Sequence, residues 1–103
     1  MNRRTKTLQI PESVKEAVWN RDGGKCVLCG QAWTAAPNAH FIGRAQGGMG
    51  IEKNVVTLCA GCHRLYDQSP HRTALRMEIE AYLRHTYQDW NEEELYYRKG
   101  DKQ

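Results

Sequence analysis

The chain has 103 residues, enough for one domain, and a formal net charge of +3. No run approaches the ~20 apolar residues of a membrane helix, and residues 1–10 hold charges where a signal peptide would hold an apolar segment. The expectation is therefore a cytoplasmic protein, neither membrane-spanning nor secreted, with a core so small that a bound metal would reinforce it.

Residues 1–10 read as a flexible basic arm with Arg3, Arg4 and Lys6, followed by a single domain over 11–99. Pro11 to Arg21 predicts a helix. Pro11 suits its first turn, Glu12 suits the positive end of the dipole, and Gly23-Gly24 ends it. Val14, Ala17, Val18 and Arg21 share one face, which leaves Trp19 to pack under the following cysteine knuckle. Ala39–Ile42 predicts a short strand that enters a glycine-rich loop, Gly43–Gly50. This loop lacks the GxxxxGK[ST] pattern, so it is no nucleotide-binding P-loop. The β-branched run Val55–Leu58 predicts a second strand, and Cys62–Asp67 the first turns of a helix. After Pro70, a longer helix runs from His71 to Tyr87 with Leu75, Ile79, Tyr82, Leu83 and Thr86 on its buried side. A short helix over Glu92–Tyr97 closes the chain, with Trp90, Leu95, Tyr96 and Tyr97 packed back on the core.

Two pairs, Cys26-Val27-Leu28-Cys29 and Cys59-Ala60-Gly61-Cys62, enclose a loop of twenty-nine residues. In a reducing compartment, two CxxC pairs near glycines favour metal over disulfides. Zinc prefers four ligands in a tetrahedron, and four thiolates would leave no open position, so the site would be structural. A variant in which His63 or His40 replaces one cysteine is the rival ligand set. The charge is uneven. Residues 1–66 carry nine Lys or Arg against four Asp or Glu, while 67–103 carry six against eight. The basic half coincides with the cysteines, which suits a nucleic-acid partner. His71 and His85 read as ordinary surface residues. His63 and Asp67 are four apart on the expected helix and so face the same way.

The stretch from Trp19-Asn20-Arg21-Asp22-Gly23-Gly24-Lys25-Cys26 to Cys62-His63-Arg64-Leu65-Tyr66-Asp67 resembles a zinc-stapled HNH endonuclease. The resemblance is carried by CxxCG, Ala39-His40, Gly47-Gly48, Asn54 before Val-Val-Thr-Leu-Cys, and Cys62-His63, and covers about half of the chain. The tail resembles small HNH proteins of phages and prophages. This resemblance implies an α+β fold, a ββα-metal (His-Me finger) motif in which two strands and a helix cradle one catalytic ion, with flanking helices. It implies a DNA endonuclease in which His40 is the general base and Asn54 positions the loop or the imidazole. His63 and Asp67 would hold Mg²⁺ or Mn²⁺, beside a structural Zn²⁺ on Cys26, Cys29, Cys59 and Cys62. Ala39 departs from the family, whose members often place a metal ligand there. Arg44 and Arg64 are the expected phosphate contacts. The implied partners are double-stranded DNA and, in a packaging setting, a phage terminase. Two alternatives stand beside the enzyme: a non-catalytic zinc-knuckle nucleic-acid-binding protein, and a zinc-stapled adaptor in a phage assembly complex.

Overall fold

The computed structural model describes residues 3–98. In chain order its elements are helix α1 (Arg3–Leu8), helix α2 (Glu12–Asp22), strand β1 (Ala36–His40), strand β2 (Val55–Leu58), helix α3 (Ala60–Gln68) and helix α4 (Arg72–Thr86). Three single 3-10 turns cover Arg44–Gln46, Glu52–Asn54 and Glu92–Leu95. The result is a small α+β fold: one two-stranded antiparallel sheet with flanking helices.

The basic arm is not wholly loose. Residues Arg3–Leu8 form α1, Leu8 is buried, and the Gly50 N–H donates to the Thr7 carbonyl at 3.2 Å. Residues 1 and 2, like 99–103, lie outside the described residues. Helix α2 stops where expected because Gly23 takes the left-handed conformation, φ 70°, and its N–H caps the Asn20 carbonyl. Trp19, expected under the knuckle, is not enclosed in the core. It is 38% exposed and lies against Gly24, where an added Cβ would come within 3.0 Å of the indole.

Strand β1 comes earlier than its apolar residues suggested. Its pairing runs from Ala36↔Leu58 to His40↔Val55, with a bulge between Ala36 and Ala39. Pro37 is accommodated in this two-stranded sheet, where each strand is an edge. At Ile42 the ladder is replaced by a side chain, since the Ile42 N–H donates to Asn54 Oδ1 at 2.7 Å. All four residues of β2 are buried. Helix α3 begins at Ala60 because the Cys59 sulfur caps it, accepting from the Cys62 N–H.

The core gathers Phe41, Val56, Leu58, Tyr66, Ile79 and Leu83, closed by Trp90 and Leu95 from the tail. Phe41 meets Trp90 edge-on at 5.6 Å between ring centroids, and the Trp90 indole N–H reaches the Lys53 carbonyl at 2.7 Å. Thr86, expected on the buried side of α4, is exposed.

One polar cluster ties the helices to the sheet. The Asp22 side chain, 0% exposed, accepts from the Thr57 N–H at 2.8 Å, Tyr82 OH at 2.5 Å and Arg21 Nε at 2.7 Å. Arg21 in turn donates to the carbonyls of Glu52 and Val55 and to Tyr87 OH. Burial works against its charge, but the bonds to Asp22 and Tyr87 hold the guanidinium above its ordinary pKa.

The expectation of a ββα-metal (His-Me finger) fold is corrected here. That motif holds an ion between the strands and the helix. Among the described residues, three or more His, Cys, Asp or Glu donors come together only at the cysteines.

Candidate metal centre and basic cavity

The ligand atoms of Cys26, Cys29, Cys59 and Cys62 all lie within 4.8 Å of one another. A tetrahedral zinc with Zn–S bonds of ~2.3 Å requires S···S edges of roughly 3.8 Å. The Cys29 and Cys59 sulfurs are 3.7 Å apart, so the donor set fits such an ion. Each knuckle is built alike: the Cys29 N–H points at Cys26 Sγ and the Cys62 N–H at Cys59 Sγ, both at 3.4 Å. Gln31 Nε2 adds a bond to Cys59 Sγ at 3.5 Å. Hydrogen bonding from the Gln31 backbone lowers the exposed Cys29 thiol to about 7. Burial pushes Cys62 the other way, a preference that a bound cation would reverse. Neither His40 nor His63 belongs to this cluster.

A cavity of about 760 Å³ lies elsewhere, at the end of β1 and beside α3 and α4, lined among others by His40, Arg44, His63, Asp67, Arg72 and Arg76. His40 Nε2 lies 2.9 Å from the Leu8 carbonyl. A carbonyl only accepts, so Nε2 carries the proton and Nδ1 is the bare ring nitrogen of the neutral form. Burial lowers the His40 pKa. His63 Nε2 faces Asp67 Oδ2 at 3.4 Å, and among the described residues no third donor gathers with this pair as the cysteines do with one another. Asn54 is fully buried and clamps the glycine-rich loop, donating to the carbonyls of Ile42 at 3.1 Å and Met49 at 2.8 Å. The clamp requires Gly48, where a Cβ would sit 1.7 Å from the Ile42 carbonyl oxygen.

The two arginines expected at phosphate separate. Arg44 lines the cavity; Arg64 is exposed and does not. Two others come from α4. Arg72 lies over the Tyr66 ring at 4.2 Å and donates to the Tyr66 carbonyl, while Arg76 lies over Phe41 at 4.7 Å. Arg76 is committed to Glu92 at 2.8 Å, whereas Arg44 and Arg72 pair with no carboxylate among the described residues. Sequence reasoning missed Arg72 and Arg76 because their meaning depends on how α4 folds back on α3. Their i, i+4 spacing on one helix was the available signal.

No family model matches the chain, and no solved structure matches it. Among curated proteins it is similar to Anaredoxin of Nostoc sp., 28% identical over 68 residues, which cover 66% of this chain and 84% of that protein. These findings correct the assignment to the HNH endonucleases, since the relative they give bears another name. The DNA-cleaving activity, the catalytic Mg²⁺ or Mn²⁺ and the phage setting rested on that resemblance and are withdrawn with it. What stands is a cysteine cluster able to hold a metal, and, among the described residues, no helix long and apolar enough to cross a membrane.

Proposed function

We propose that the chain is a non-catalytic nucleic-acid-binding domain held together by zinc on its four cysteines. The observation that carries this reading is the cavity, which Arg44 and Arg72 line together with His40, His63 and Asp67, neither arginine being ion-paired to a carboxylate among the described residues. Arg72, stacked on the Tyr66 ring, is pre-organised for phosphate, which a guanidinium meets through paired N–H donors. Cys26, Cys29, Cys59 and Cys62 take the structural role. His40, Asn54, His63 and Asp67 shape the cavity rather than react in it, and double-stranded DNA is one candidate ligand.

Fluorescence anisotropy with labelled duplex and single-stranded oligonucleotides, across a salt series, tests this. Each phosphate contact contributes a slope of about −0.9 for duplex or −0.7 for single strands in log affinity against log salt. Arg44→Gln and Arg72→Gln should each flatten the slope by about that amount. Absence of binding at low salt, or unchanged slopes in folded variants, refutes the reading.

The relative's name and the exposed Cys29 favour a second reading, in which the metal–thiolate cluster exchanges electrons. Tetrahedral thiolates accept iron as well as zinc. Metal analysis of protein purified without added metal, with a check for reversible bleaching by dithionite, separates the two: colourless zinc protein excludes the second.

A further inference from the structure

Trp33 is 79% exposed, the most exposed large apolar side chain among the described residues. The loop that carries it is tightly made. Gly30 turns at φ 83°, the Cys26 N–H donates to the Gln31 carbonyl at 2.9 Å, and the Ala35 N–H to the Ala32 carbonyl at 3.1 Å. Next to Trp33, Thr34 sits at φ 62°, the one non-glycine residue with positive φ among the described residues. A β-branched side chain is strained there, and such strain persists only where surrounding contacts impose it. Here the contact is the Thr34 hydroxyl, which accepts the Ala60 N–H at 2.8 Å and so locks the loop to the start of α3 beside Cys59. A strained residue on a cysteine knuckle thus holds an indole out in water.

We propose that Trp33 is a stacking platform for an unpaired nucleobase on the strand whose phosphates the cavity holds; this rests on the nucleic-acid reading above. Reach allows it. Trp33 and His40 at the cavity are seven positions apart, and a chain extends at most ~3.3–3.6 Å per residue, so their backbones lie within about 25 Å. Charge favours a base at this end. Zinc on four thiolates carries a net −2, which repels phosphate from the knuckle but not an uncharged ring, and every base offers a π-face to an aromatic side chain. Bases inside a duplex are already stacked and paired, so the ligand is single-stranded or carries an unpaired end.

The test uses the full zinc-loaded chain and two fluorescein-labelled ligands: an oligothymidylate of about 12 nucleotides and a blunt hairpin duplex. One base–aromatic stack is worth about 5- to 150-fold in affinity. Trp33→Ala should therefore weaken oligothymidylate binding by about fivefold or more and leave duplex binding within about twofold, whereas Trp33→Phe retains most of the affinity. Quenching of tryptophan fluorescence on binding should vanish in Trp33→Phe and persist in Trp19→Phe. Zinc content and circular dichroism establish that the variants fold. If Arg72→Gln weakens binding while Trp33→Ala does not, the stacking role is overturned, the cavity reading stands, and the indole is left to a protein partner. If no oligonucleotide binds the parent chain, both readings fall together.

Discussion

Asp22→Ala should be among the most damaging single substitutions in this chain. The carboxylate is fully buried and takes hydrogen bonds from Arg21, from Tyr82 and from the Thr57 N–H in β2. Truncating one partner of a buried ion pair costs about 3–5 kcal/mol, because the other charge is left behind. Arg21 keeps its bonds to the Glu52 and Val55 carbonyls and is 12% exposed, which places the pair at the low end, roughly 3 kcal/mol. The Thr57 N–H has no water to turn to in a buried strand, which adds about 1 kcal/mol or more. The sum is roughly 4 kcal/mol, a large part of the 5–15 kcal/mol typical of a domain. At ~4–8 °C per kcal/mol for a domain near this size, the Tm should fall by about 16 °C or more. Urea titration of the zinc-loaded protein, followed by circular dichroism, measures it. Tyr82→Phe removes one donor from the same carboxylate and should cost only about 1 kcal/mol. A loss under about 1 kcal/mol for Asp22→Ala would refute the claim that this carboxylate joins α2 to β2 and α4.

Two further outcomes are expected. Cys59→Ser should abolish tight zinc binding and most of the folded signal, since zinc binding energy is folding energy in so small a domain; a zinc-free variant that remains well folded would contradict the structural role. Burial holds the His40 pKa below its ordinary value of about 6.5, so its contribution to stability is full above that pH and is lost as pH falls through the lower folded-state value. Denaturant midpoints between pH 7.5 and 5 should therefore drop less in His40→Gln than in the parent, and equal drops would remove His40 as the cause.

Much of the fold was legible because local rules agreed with tertiary demands. Pro11, Glu12 and Gly23 mark α2, and the β-branched run at 55–58 marks β2, buried along its whole length. β1 starts three residues and ends two residues before the expected strand because the apolar signal, Phe41 and Ile42, lies beyond the ladder, where Asn54 takes over the pairing. Arg3–Leu8 read as an arm because one buried apolar residue, Leu8, leaves no periodic pattern. Of the two arginines chosen from sequence, Arg44 reaches the cavity and Arg64 does not, since one helical position turns a side chain by roughly 100°. The family resemblance rested on motif spacing, and spacing alone is indifferent to whether donors converge. His40, His63 and Asp67 do line one cavity, where His63 and Asp67 meet as a pair and the His40 Nε2 is held by the Leu8 carbonyl.

By itself the sequence determined the cysteine staple, because two CxxC pairs offer four thiols in a spacing that suits one metal ion. Only the tertiary structure decided what the staple carries. Folding α4 back against α3 brings Arg72 to the cavity that Arg44 lines, and Thr34 docks on the first turn of α3 next to the exposed Trp33. Both depend on contacts between residues far apart in the chain, and no local pattern encodes which distant partner a side chain will meet.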